Sequence, residues 1–224
     1  GVHSCALPIS LNLAETFLLC FGGMSIFDSL CHSFGTVSTS GYSPWNASIG
    51  HYNNAYFDWV ITIFMFLGGM TFMLFYFMIV RNWHAIKINT EFRWYSFLIF
   101  FISIPVSLIL WQHGTYSVFV DAVRYGTFQV IFLLTTTGFG TEDIGSGYFG
   151  VASQQLFLVM MVIGGCVGST GGGFKVLRVV ILHRLIRGEV FRSAGTGRPT
   201  FGRGLAGGPG PAPQPVRGGA PVCG

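Results

Sequence analysis

Charge is what this chain has least of. Only 9% of its 224 residues are Asp, Glu, Lys or Arg, where a soluble domain carries about 25%. The shortage is uneven: residues 24–58 contain no Lys or Arg, and residues 112–147 contain only Arg124. With 51% hydrophobic residues and a mean hydropathy of +0.60, the composition excludes a soluble domain and implies a membrane protein. The net charge of +4 is modest, and no nucleic-acid partner is expected.

Other absences narrow the chemistry. The five cysteines (Cys5, Cys20, Cys31, Cys166 and Cys223) form no CxxC pair and stand at no metal-ligand spacing from a histidine. That argues against a zinc site or a disulfide framework. No paired His, Glu or Asp falls in mid-span, so neither an intramembrane enzyme nor a haem pair is suggested; no enzyme activity and no organic cofactor are expected. No charged n-region precedes Leu11, so no signal peptide is read, and the chain reads as a cut through a longer protein.

What is present is apolar runs and glycine. A spanning helix needs roughly 20 apolar residues. Residues 55–80, 94–111 (with Pro105 as a kink) and 148–167 meet that requirement, and residues 7–23 approach it despite Glu15. Two further stretches, 26–38 and 118–135, are too short or too polar to cross and suggest re-entrant half-helices. Each runs into a hydroxyl-glycine turn, "STSGYS" and "TTTGFG". Gly41 and Gly138 lie 97 residues apart, and the two turns align without a gap. The order span, half-helix, turn, span therefore occurs twice, as an internal repeat.

Lys and Arg orient the chain. Arg81, Lys87 and Arg93 lie between the second and third spans, and Lys175, Arg178, Arg184, Arg187 and Arg192 follow the last. The positive-inside rule places both basic segments in the cytoplasm and both glycine turns outside. Asp58, Glu142 and Asp143 are then expected near the outer mouth.

A pore that selects a cation replaces the ion's water shell with fixed oxygens, chiefly backbone carbonyls. The required backbone is cheap only at glycine, and the C-terminal end of a leading half-helix offers partial negative charge. Thr39, Ser40 and Gly41, with Thr136, Thr137 and Gly138, therefore read as two walls of a filter for K+. Such backbone is tolerated at membrane depth only inside protein or along a water-filled cavity.

The last span carries Gly164, Gly165, Gly168, Gly171, Gly172 and Gly173, followed by Lys175. A phosphate loop would need GxxxxGK[ST] after a strand. Here Lys175 comes one place late and Val176 replaces the hydroxyl residue. Two readings remain: a broken helix whose loop lies under the filter and gates it, or a close-packed contact between small residues. From Ser193 onward Gly, Pro and Arg dominate, and residues 193–224 read as disordered or non-native.

The stretches "LCHSFGTVSTSGYSPWNASIGHY", "TTTGFGTEDI" and "IGGCVGSTGGGFKVLR" together resemble the Trk/Ktr/HKT family of potassium uptake proteins, of the TrkH and KtrB type. The resemblance covers residues 11–192 and implies an all-α membrane protein with helix–pore-loop–helix repeats around a central cation pore. It implies the second repeat at 1–88 and the third at 89–192, and makes Gly164–Lys175 the intramembrane gating loop. Ser40 departs from the pattern, standing where the family commonly has glycine. The resemblance also implies a multi-pass protein of the inner (plasma) membrane, surrounded by lipid, homodimeric, with a cytoplasmic RCK-type nucleotide-binding subunit as partner. With the first and fourth repeats absent, the chain reads as part of a pore subunit. A two-pore-loop potassium channel subunit is the alternative; it predicts near-identical filters and no glycine break.

Overall fold

The computed structural model describes residues 2–114, 116, 118–142 and 149–193. Among these, nine α-helices follow in order: α1 (Val2–Phe21), α2 (Ile26–Val37), α3 (Ala55–Gly68), α4 (Phe72–Ile79), α5 (Trp83–Ile88), α6 (Thr90–Gln112), α7 (Phe119–Leu134), α8 (Gly150–Val162) and α9 (Val176–Ser193). A 3-10 turn occupies Ser48–Tyr52. Residues up to Ile181 form one compact unit; the described part of a second is the remainder of α9, from Leu182 to Ser193. The glycine- and proline-rich tail lies, beyond Ser193, outside the described residues, as does Asp143.

Helix starts are written in side chains. Ser25, Asn54, Asn82 and Asn89 each accept a backbone N–H in the first turn of α2, α3, α5 and α6, satisfying donors that have no partner inside the helix. The short helix α2 packs on α1 and α3, and α7 packs on α6, α3 and α8. Ile61, Met65, Tyr95, Phe128 and Leu134 fill the space between them. On α6, by contrast, Phe97, Phe100, Phe101 and Ile104 are exposed, as suits a surface in lipid.

Within the stretches 26–38 and 118–135 lie the helices α2 and α7. The expected spans differ more. Among the described residues, α6 alone is long and apolar enough to cross a membrane as one helix. The apolar run 55–80 is two helices, broken after Gly68. At the break Gly69 lies so close to the Tyr95 hydroxyl and the Thr135 methyl that a Cβ would fall 2.6 Å from the latter. The freed carbonyl of Gly69 accepts the N–H of Cys166 at 3.0 Å. The run 148–167 stops being helical at Val162, where Ile163–Gly164 pairs in parallel with Phe174–Lys175.

Candidate functional site

The two short helices end alike, bond for bond. After α2, Ser38 caps the helix, Thr39 N–H donates to Thr36 O at 3.1 Å and Ser40 N–H donates to Gly35 O at 2.9 Å. After α7, Thr135 caps, Thr136 N–H donates to Leu133 O at 3.1 Å and Thr137 N–H donates to Phe132 O at 3.0 Å. Every partner is displaced by the same 97 residues. The hydroxyls follow: Ser38 Oγ donates to Phe34 O at 2.5 Å and Thr135 Oγ1 donates to Ile131 O at 2.8 Å. Ser38 and Ser40 hydroxyls meet at 3.0 Å, Thr135 and Thr137 hydroxyls at 2.7 Å.

This is the Schellman helix ending, whose left-handed residue is usually glycine. Here it is threonine both times: Thr39 has φ 53° and Thr136 has φ 56°. A β-branched residue in that region is an outlier, worth about 1–3 kcal/mol of strain of the kind that accumulates at functional sites. Two residues on, Gly41 and Gly138 are left-handed again, at φ 65° and 89°. Between each pair stands one residue, Ser40 or Thr137, that lies outside the left-handed region.

The two turns meet through their backbones. A Cβ on Gly41 would run into Thr137 O and lie 2.8 Å from the carbonyl carbon of Gly138. Beyond the turns, His32 and Gln129, again 97 residues apart, tie back the chain through hydroxyls one place out of register: His32 Nε2 to Ser43 Oγ at 3.0 Å, and Gln129 Nε2 to Thr141 Oγ1 at 3.2 Å. Gly50 N–H donates to Gly140 O at 3.3 Å, so the 3-10 turn of the first half clasps the second.

The segment that follows the first turn is braced by aromatics. Tyr52 Oη donates to Asp28 Oδ2 at 2.8 Å, Trp45 Nε1 donates to the same oxygen at 3.4 Å, and His51 stacks on Trp45 at 4.0 Å. Tyr52, chiefly, and Trp45 with Ser25 hold the Asp28 carboxyl below the usual carboxylate range. Burial, and then the Asp28 acceptor, push the Tyr52 phenol up to about 12.

The glycine-rich stretch is a loop closed at its neck by the Ile163–Gly164 and Phe174–Lys175 pairing. It rests on the C-terminal ends of both short helices. Gly172 N–H donates to Thr136 Oγ1 at 2.7 Å. Thr170 Oγ1 donates to Val37 O at 3.0 Å and reaches Gly68 O at 3.5 Å. A Cβ on Gly171 would lie 2.7 Å from Thr135 O. Lys175 Nζ donates to Gly171 O within the loop.

All the residues singled out at the two turns are thus brought to one place, with the glycine loop against them. Three matters escaped sequence reasoning. Thr170 carried no signal among the glycines. The ion pair of Asp58 is a second: it is buried, with Arg124 Nε 3.3 Å from its Oδ2. Arg124 also approaches Asp121 at 3.3 Å and lies over the Tyr125 ring. It joins α3 of the first half to α7 of the second, at ion-pair distance without hydrogen-bond geometry at Nε. Glu15 on α1 is wholly buried, and neither carboxyl oxygen has a well-formed hydrogen bond among the described residues.

The family model for TrkH, described as a cation transport protein, matches residues 9–195. The chain is similar to the Trk system potassium uptake protein TrkH of Escherichia coli K12, with 33% identity over 179 residues, 79% of this chain and 36% of that protein. It is 31% identical over 176 residues to TrkG of the same organism, covering 77% of this chain and 36% of TrkG. The crystal structure of the potassium transporter TrkH from Vibrio parahaemolyticus matches with a TM-score of 0.79 and 28% identity, covering 88% of this chain and 42% of the other. The chain thus spans about a third of the length of the curated relatives it matches.

Proposed function

The chain belongs to the TrkH family of cation transport proteins, and from that premise we propose that it supplies two walls of a potassium-selective pore. The observation that carries this is the pair of strained turns, with the same left-handed residues and the same hydrogen bonds, in backbone contact. In such a pore the backbone oxygens of the two turns would replace the water shell of a dehydrated cation. The C-terminal ends of α2 and α7 add partial negative charge behind the turns.

Residues 1–88 and 89–192 are read as two consecutive helix–pore-loop–helix repeats, the second holding the gating loop. Their aromatics support further repeats around the same axis. Phe139 is fully buried, its ring 5.7 Å from that of His32 on the preceding short helix. Tyr42, its counterpart 97 residues earlier, is 82% exposed, as expected if its own preceding short helix belongs to a repeat outside this chain. The chain is then a partial pore-forming subunit in a cell inner membrane, multi-pass and lipid-embedded. A homodimer and a cytoplasmic RCK-type nucleotide-binding subunit are proposed on the family resemblance. Potassium is cargo here, and no organic cofactor is proposed.

The test is Gly138→Ala in the full-length protein, assayed for potassium-dependent growth of an uptake-deficient strain. Reduced uptake or relaxed selectivity against sodium is expected, because an added Cβ opposes φ 89°. Wild-type uptake and selectivity would contradict the assignment.

A further inference from the structure

The glycine loop lies against both short helices, and its composition leaves few side chains of its own to hold it there. Within residues 165–173 the chain offers only Cys166, Val167, Ser169 and Thr170 beyond Cα. Ser169 Oγ donates inward, to Cys166 O at 2.7 Å. Thr170 reaches outward. Its hydroxyl donates to Val37 O, the last carbonyl of α2, at 3.0 Å, with Gly68 O also within 3.5 Å.

That carbonyl is special. A helix end leaves its final carbonyls without intrahelical partners. The Schellman ending of α2 satisfies Phe34, Gly35 and Thr36, and Thr170 meets the next one. On the other side, Gly172 N–H meets the Thr136 hydroxyl. The loop therefore spans the ends of both turns, tied to the end of α7 by its backbone and to α2 by one side chain, while its first strand-side residues are anchored separately, Cys166 N–H on Gly69 O and Val167 N–H on Glu91 Oε1.

We infer that Thr170 is the latch of this loop: its hydroxyl, through Val37 O and Gly68 O, holds the loop closed across the two turns and sets how often it opens. The inference rests on the proposal that the loop gates a pore, and it assigns to Thr170 a role independent of the glycines. Thr170 is a positioning residue; it acts through the loop and contributes no oxygen to the cation. Releasing it removes one hydrogen bond from the closed state and none from an open state in which Thr170 faces water. One such bond is worth a factor of about two to ten in an equilibrium.

The experiment compares three variants of the full-length protein, reconstituted in liposomes at matched amounts, by rubidium-86 flux with and without competing sodium. Thr170→Val keeps the shape and loses the hydroxyl; flux rises about two- to tenfold with rubidium-over-sodium preference unchanged. Thr170→Ser keeps the hydroxyl and holds flux near the wild-type level. Deleting Gly168–Gly173 removes the loop's tip and raises flux at least as far. Wild-type flux in Thr170→Val beside a raised flux in the deletion overturns the latch and leaves the gate standing. Equal rises in the Val and Ser variants, or a changed ion preference in Thr170→Val, also overturn it. Unchanged flux in the deletion removes the gate itself, and the latch with it.

Discussion

Thr39 and Thr136, 97 residues apart, hold the same left-handed backbone, at φ 53° and 56°. Glycine would adopt that conformation without strain, yet threonine stands there twice. What glycine would lack is the hydroxyl. That of Thr136 accepts the Gly172 N–H of the loop, and that of Thr39 donates to Ser38 O at 2.7 Å. Strain in the backbone and an engaged hydroxyl at the same place explain why the position is threonine.

Gly41 and Gly138 are equivalent in sequence but not in surroundings. A Cβ on Gly41 meets the backbone of Thr137 and Gly138, whereas one on Gly138 meets nothing nearer than Gly41 Cα at 4.0 Å. Gly41→Ala therefore forces the two turns apart, while Gly138→Ala contributes only local strain of about 1–2 kcal/mol. The expected outcome is near-complete loss of flux in Gly41→Ala and a lesser change, mainly in selectivity, in Gly138→Ala. Rubidium flux in matched liposomes gives the ranking, and the reverse order would contradict the contact.

The Arg124–Asp58 pair ties α3 to α7 in a buried setting. Removing one partner strands the other charge, at a cost of about 3 kcal/mol or more. Arg124→Gln is expected to lower the melting temperature of the detergent-solubilised protein. Adding Asp58→Asn should recover most of the loss. A double variant no more stable than Arg124→Gln would show that the pair does not couple the two halves.

The brace at Asp28 makes a pH-dependent prediction. Its folded-state pKa lies below the ordinary value, chiefly through Tyr52. The stabilisation is therefore present in full above the unfolded-state pKa and is lost as pH falls through the folded one. Asp28→Asn should be less stable than wild type at neutral pH, and the difference should close only at pH below the usual carboxylate range. Melting curves from neutral to strongly acid pH read this directly; a difference that closes above that range would reverse the sign.

Much of this arrangement is legible in the sequence, because its strongest signals are local. A short apolar run ending in hydroxyls and glycine has few folds at membrane depth, and α2 and α7 stop within one residue of where their composition changes. The spans were harder to delimit. Hydropathy reads 55–80 as one helix, since the break depends on Gly69 fitting against Tyr95 and Thr135, which are distant in sequence. Likewise Glu15 reads as a flaw in an apolar helix, and only packing shows it wholly buried. The Arg124–Asp58 pair and the reach of Thr170 to Val37 join residues 66 and 133 apart, beyond any periodicity.

Anomalous diffraction from crystals of the full-length protein grown in rubidium tests the central claim most directly. The account predicts a rubidium peak between the two turns, within coordination distance of backbone oxygens in Thr39–Gly41 and Thr136–Gly138. Ordered rubidium elsewhere in the protein, with none between these turns, would contradict it.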